Sequence, residues 1–278
     1  MGYQFHSVFQ GDRALPVVLF LHGFLGSSAD FDAAIAHLSE QFCCLAVDLP
    51  GHGETVVDGE EELYTMPKTA NAIVAWLDEL QVSRCFLVGY SMGGRLALYL
   101  ALHFPQRFPK VVLESASPGL PTATERAARL RHDHALADRL EADFPAFLVH
   151  WYSQPLFYSL RHQPTFLQVQ ERRSRNRPSE LAKSLRRLST GLQPSLWDLL
   201  PQTPPTLLLV GEDDRKFCAI NQAMADGCAT IQLEMISGCG HVIHLEKTAA
   251  FIKAVQAFFS DSGKRTDYPG SMRHTTNA

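Results

Sequence analysis

The stretch Phe86–Arg95, FLVGYSMGGR, constrains this chain more than any other. It opens as a short apolar strand (Phe86, Leu87, Val88), turns on Gly89-Tyr90-Ser91-Met92-Gly93 and runs from Gly94 into an apolar helix. G-x-S-x-G between a strand and a helix is the pattern of a nucleophile elbow, a turn sharp enough to lift the serine clear of the backbone. Such a turn packs closely and strains its dihedrals, so the neighbours of Ser91 have to be small. The competing explanation is a chance glycine-rich turn. The flanking strand and helix, and the partners found further along, favour the elbow.

The rest of the chain has the rhythm that an elbow needs. Pro16–Leu21 (PVVLFL) and Cys43–Val47 are continuous apolar runs, as expected of strands buried on both faces of a parallel sheet. Tyr3–Phe9 alternates enough for an edge strand, and Lys110–Glu114, Thr206–Val210 and Gln232–Ile236 supply further strands. Helical spacing fills Asp30–Leu38, Thr69–Leu80, Leu96–Leu102 and Thr248–Phe259. Strand alternating with helix implies an α/β fold with a mostly parallel, doubly wound sheet. The rhythm breaks at Ser117 and resumes near residue 203. Between them lie arginine- and aromatic-rich helical patterns punctuated by Pro145, Pro155, Pro164, Pro178 and Pro194. The expected organisation is a core in two parts, 1–116 and 203–260, with a helical cap inserted over 117–202. The polar tail, 261–278, reads as disordered.

A net charge of −4 argues against a nucleic-acid binder. Six cysteines (Cys43, Cys44, Cys85, Cys218, Cys228, Cys239) form no C-x-x-C pair and no metal-ligand spacing, and several sit in apolar runs. They read as buried thiols in a reducing compartment. With no signal pattern in residues 1–15 and no apolar run long enough for a membrane span, the expectation is a cytoplasmic protein.

A serine nucleophile needs a base, and the base needs an orienting carboxylate, in the chain order Ser, Asp, His for a hydrolase-like sheet. Leu207–Val210 runs into Gly211-Glu212-Asp213-Asp214, and the last position of that strand-end pattern selects Asp214. Ser237-Gly238-Cys239-Gly240-His241 offers His241 on a glycine turn after the last strand; His244 fits better as support for that loop. His22 and His52, in glycine turns, read as structural. The oxyanion site would use the backbone amides of Met92, after the serine, and Phe24, after the first buried strand. No metal site is expected.

The arginines narrow the chemistry. Residues 117–202 hold 12 Lys+Arg against 8 Asp+Glu, and the remainder holds 13 against 21. A basic cap therefore sits on an acidic core. Arg95 lies one turn after Ser91 in an otherwise apolar helix, where a guanidinium must find an anion. Either it pairs internally, with Glu114 the candidate, or it forks a substrate carboxylate. The second reading is favoured, since an ordinary esterase has little use for a cation so near its serine.

These residues resemble MenH, the 2-succinyl-6-hydroxy-2,4-cyclohexadiene-1-carboxylate (SHCHC) synthase family of menaquinone and phylloquinone biosynthesis. The resemblance runs through Asp48–Gly53, Gly89–Arg95, Glu114, Pro118-Gly119-Leu120, Glu125–Arg129, Trp151–Pro155, Arg173-Ser174, Gly211-Glu212, Asp214, Lys216-Phe217 and Gly240-His241. The elbow is widely shared; the arginine after the double glycine, PGL…ERAxR and WYxQP are more specific. The resemblance implies an α/β-hydrolase fold with a helical cap, and a lyase that removes pyruvate from 2-succinyl-5-enolpyruvyl-6-hydroxy-3-cyclohexene-1-carboxylate. By position it makes Ser91, Asp214 and His241 the triad and Phe24 and Met92 the oxyanion donors. Arg95, Arg129 and Arg173 would bind substrate carboxylates, and Tyr90 and Trp151 would line the pocket. Ser91 would act as a base toward the carbon beside the succinyl ketone, with no cofactor. The partners implied are a small polycarboxylate substrate and pyruvate as product. Two other readings compete: a carboxylester or C–C bond hydrolase for an anionic substrate, and a non-catalytic receptor for a small anion on a hydrolase scaffold.

Overall fold

The computed structural model describes residues 2–261; the tail expected to be disordered lies, apart from Asp261, outside them. Nine strands are present among the described residues: β1 Gly2–Gln4, β2 Ser7–Gln10, β3 Val17–Leu21, β4 Cys43–Val47, β5 Val56–Asp58, β6 Phe86–Tyr90, β7 Val111–Glu114, β8 Thr206–Gly211 and β9 Ile231–Ile236. Seven form one sheet in the order β2-β4-β3-β6-β7-β8-β9. All its pairs are parallel except β2 with β4.

The apolar runs became strands for the reason their composition suggests. Every residue of β3, β4, β6 and β7 is buried. Successive side chains enter opposite layers. Val18, Phe20, Cys44, Ala46, Val88 and Val112 join one core cluster, while Val17, Leu19, Leu21, Cys43, Leu45 and Leu87 join the other. Helices cover both faces: α1 Asp32–Leu38, α2 Met66–Glu79 and α3 Met92–His103 in the first half, then α9 Arg215–Asp226, α10 Ile243–Glu246 and α11 Thr248–Ser260 in the second.

The N-terminal expectation needs correction. Tyr3–Phe9 is not one edge strand but two short ones. The chain breaks at His6, whose backbone N–H donates to Thr55 Oγ1 (2.9 Å) and whose ring bonds Asp48 (2.9 Å). β1 leaves to pair with β5 as a separate ribbon, and β2 alone edges the main sheet.

Between β7 and β8 the described chain is helical: α4 Ala123–Ala142, α5 Phe144–Ser153, α6 Tyr158–Arg161, α7 Phe166–Ser174 and α8 Pro178–Arg187. Several of the punctuating residues are start signals. Thr122 and Glu125 form a reciprocal capping box at α4, and Pro145 and Pro178 sit in the first turns of α5 and α8. Leu136, Phe147, Tyr152, Leu160 and Val169 from these helices extend the core cluster on the α1–α11 side.

The chain moves outward from β3 to β4, then returns to place β6 on the other side of β3. At such a reversal the loops leaving neighbouring strands diverge and open a crevice at the carboxyl end of the sheet. The loop after β3 and the elbow after β6 flank it.

Candidate active site

Ser91 sits in the crevice at φ +50° and ψ −106°, strained for a residue with a side chain. Its N–H donates to the Glu114 carbonyl on β7 (2.9 Å), which pins the turn. The glycines serve approach rather than dihedral freedom. A Cβ at Gly93 would overlap the backbone of Leu21 and His22, and one at Gly94 would come 2.6 Å from Ala116 Cβ. Helix α3 can thus press against the sheet and aim its first, unpaired amides at the cavity.

The triad residues come together. His241 Nδ1–H donates to Asp214 Oδ2 (2.6 Å), which leaves Nε2 to accept from the Ser91 hydroxyl (3.1 Å). Asp214 and His241 are 5% and 2% exposed, so the pair is shielded while Ser91 reaches the cavity. Asp214 also caps α9, accepting from the Phe217 N–H (3.4 Å). Asp213 and Glu212 are exposed.

Two buried carboxylates brace the loop that carries His241. Glu246 accepts from the N–H groups on either side of it, Gly240 (2.8 Å) and Val242 (3.1 Å). Glu114 accepts from the backbone N–H (3.2 Å) and Nδ1–H (2.8 Å) of His244. His244 supports the loop as expected, and Glu114 is thereby unavailable as the internal partner considered for Arg95.

The cavity holds about 330 Å³. Phe24, Tyr90, Ser91, Met92, Arg95, Arg129, Trp151 and His241 all line it, with Asp133, Lys216 and Phe217 among the others. The Tyr90 ring packs where a side chain at Gly23 would otherwise sit. Phe24 stands edge-on to Trp151 (5.2 Å between centroids), so core and cap meet over the serine. His22 and His52 are buried away from the cavity.

Arg95 donates to two neutral acceptors, Gln193 Oε1 (2.8 Å) and the Leu188 carbonyl (2.9 Å). Burial, together with the nearby Arg129 charge, pulls its pKa down to about 9, with Asp133 opposing. It still carries its charge at neutral pH. Arg129 donates to Asp133 Oδ1 (2.7 Å), whose other oxygen accepts from Ser189 Oγ (2.6 Å). Two guanidiniums thus share one carboxylate, and the cavity keeps an excess of positive charge.

Arg173 departs from expectation. It does not line the cavity. Both its terminal nitrogens donate to Asp30 (2.7 Å each) and Nε donates to the Tyr152 hydroxyl (3.1 Å). Burial alone would depress its pKa, but the Asp30 carboxylate outweighs that and holds it above the usual arginine value. Three of its five N–H donors are used in these bonds, and with its charge met by Asp30 the guanidinium joins core to cap instead of facing the cavity. Sequence reasoning missed Asp133, Ser189 and Gln193, which orient the cavity arginines. Only Asp133 carried a signal, its i,i+4 spacing from Arg129.

A family model described as alpha/beta hydrolase fold matches residues 16–248. The chain is 35% identical, over 93% of its length and 96% of the relative, to a putative 2-succinyl-6-hydroxy-2,4-cyclohexadiene-1-carboxylate synthase of Bacillus subtilis. It is 34% identical to the synthase of that name from Serratia proteamaculans, over 91% of this chain and 97% of the relative. Among solved structures it is similar to MenH from S. aureus, with TM-score 0.87 and 32% identity, over 95% of this chain and 99% of that one.

Proposed function

The chain belongs to the 2-succinyl-6-hydroxy-2,4-cyclohexadiene-1-carboxylate synthase family, and from its cavity we propose how it performs that family's reaction. It is a lyase of menaquinone biosynthesis built on the α/β-hydrolase fold. The observation that carries the mechanism is the Asp214–His241–Ser91 chain opening beside a guanidinium, Arg95, that has no carboxylate of its own.

The substrate, 2-succinyl-5-enolpyruvyl-6-hydroxy-3-cyclohexene-1-carboxylate, bears three carboxylates. Arg95 and Arg129 meet one or more of them and set the ring beside Ser91, in a bidentate geometry suited to guanidinium. His241 takes the Ser91 proton. Ser91 Oγ takes the proton from the ring carbon that bears the succinyl ketone. The ketone oxygen gains enolate character and is received by the Phe24 and Met92 amides. The electron pair moves into the ring, the C–O bond to the enolpyruvyl group breaks, and the departing pyruvate enolate takes up the proton that His241 drew from Ser91, giving pyruvate. No acyl-enzyme forms. Tyr90 and Trp151 supply apolar walls that exclude water from the enolate.

Pyruvate release tests this. Coupled NADH loss should follow addition of the enolpyruvyl substrate and fall to background in Ser91→Ala. No pyruvate from the intact protein sinks the lyase assignment. Hydrolysis of an anionic ester in its place would favour a hydrolase, and binding of the tricarboxylate without turnover would favour a receptor.

A further inference from the structure

The Phe24 amide owes its place to the loop His22–Gly26, and that loop is held at two points. At the first, the Gly23 carbonyl accepts from His22 Nδ1–H (2.8 Å) and from the Gly26 N–H (3.0 Å). The Gly23–Phe24 peptide is planar and trans, so fixing that carbonyl fixes the line of the Phe24 N–H. The second point is Leu25. Its φ of +67° is strained for a bulky residue, by about 1–3 kcal/mol, and persists only where the surroundings impose it.

What imposes it comes from the cap. Asn176, in the turn between α7 and α8, donates from Nδ2 to the Leu25 carbonyl (3.0 Å) and to the Arg173 carbonyl (3.1 Å). Its Oδ1 accepts from the Gly53 N–H (2.9 Å). One side chain thus ties the loop after β3 to the turn after β4 and to the cap. Both amide donors and the acceptor are in use, the residue is 9% exposed, and it does not line the cavity.

We propose that Asn176 is a positioning residue for the oxyanion site: by fixing the Leu25 carbonyl from the cap, it holds the Phe24 N–H where the developing enolate oxygen needs it. This rests on the reading of Phe24 and Met92 as the oxyanion donors. The consequence is that half of that site depends on seating of the cap. A donor displaced by a fraction of an ångström loses most of its value to a transition state, whereas ground-state binding through Arg95 and Arg129 is untouched. Asn176 therefore acts on kcat rather than KM.

Arg177 is the natural control. It lies next in the same turn and also joins cap to core, but its side chain bonds the Thr55 carbonyl, through Nη2 (2.9 Å), and not the Leu25 carbonyl. The test compares Asn176→Ala, Asn176→Asp and Arg177→Ala in the full chain. Asn176→Asp keeps an acceptor for Gly53 and loses the donor to Leu25; being nearly isosteric, it carries the test should Asn176→Ala not fold. Two rates are read beside the melting temperature: kcat and KM for pyruvate release, and phosphonylation of Ser91 by a fluorophosphonate, whose oxygen occupies the same amides. The expected result is a loss of about tenfold or more in both kcat and labelling rate for the Asn176 variants, with KM within about threefold. Arg177→Ala should stay within about twofold on both rates. Wild-type labelling in Asn176→Asp, a loss confined to KM, or an equal loss in Arg177→Ala overturns the proposal. Labelling does not depend on the natural substrate, so a protein that labels but releases no pyruvate sinks the lyase reading and leaves this test standing.

Discussion

Arg95 and Arg173 are two inward-facing arginines of one active-site region, and their surroundings divide their work. Arg173 meets Asp30 with two parallel hydrogen bonds and Tyr152 with a third, and its charge is cancelled within the protein. Arg95 meets a side-chain amide and a backbone carbonyl, which orient it without neutralising it, and Arg129 adds a second cation nearby. The lesson concerns acceptors. A guanidinium matched by one carboxylate through both terminal nitrogens, as Arg173 is, forms a finished joint, here between the turn before α1 and the cap helix α7. One held by neutral oxygens is an unfinished ion pair, and for Arg95, in the cavity that Ser91 lines, the partner proposed is a substrate carboxylate.

The largest effect expected from this contrast is on stability. Asp30→Ala leaves Arg173 buried without its counter-ion and should cost about 3–5 kcal/mol in urea unfolding. The corresponding cut at Arg95, Gln193→Ala, removes the hydrogen bond from that charged donor, with a long one (3.5 Å) from Gln193 Nε2 to the Ser117 carbonyl, and should cost about 1.5–3 kcal/mol. Equal losses would erase the distinction between the two sites.

Activity should show the reverse. Arg95→Ala removes a charged hydrogen bond to the substrate, and kcat/KM for pyruvate release should fall about a hundredfold, roughly 3 kcal/mol. The melting temperature should hold or rise, because an uncompensated charge has left a desolvated site. Near-normal kcat/KM would make Arg95 a structural residue like Arg173.

The smallest effect is a pH dependence. In the wild type, burial opposes ionisation of Asp30, but Arg173 wins and sets its pKa below the ordinary 3.8. The pair's contribution is therefore complete above pH 3.8 and is lost only as pH falls through the lower folded value. In Arg173→Met, burial is opposed only by the more distant Arg172 (3.7 Å) and by the weaker pull of His244 and His22, and the folded pKa should rise above 3.8. The folded variant then binds a proton before the unfolded chain does and gains stability as pH falls. The stability gap between wild type and variant should narrow by about 1 kcal/mol between pH 6 and 4. A constant gap would mean that Asp30 does not depend on Arg173.

Much of this architecture could be read in the chain because its signals are local. β4 coincides with the apolar run Cys43–Val47, since five buried residues in a row have few other uses. The elbow, its strand and its helix are contiguous, so Ser91 and Arg95 were visible together. Asp214 and His241 followed because each lies in the loop that leaves a late strand, β8 and β9. What failed was non-local. The split of Tyr3–Phe9 depends on Thr55 and Asp48, some 40 residues and more away in sequence. Arg173 was given a substrate role by resemblance, and its Asp30 partner, 143 residues distant, shows no spacing relation that could have pointed to the internal pair. Gln193 and Asn176 were invisible for the same reason: an uncharged amide in a loop acquires its role only when two distant turns close on it.

The most direct test of the proton-abstraction mechanism is turnover of substrate deuterated at the ring carbon that bears the succinyl ketone, with the intact mass of the protein followed during reaction. A base role for Ser91 requires kcat/KM to fall by about twofold or more on deuteration while the protein mass stays unchanged. An isotope-insensitive rate accompanied by a covalent adduct on Ser91 would contradict it and return the serine to the role of nucleophile.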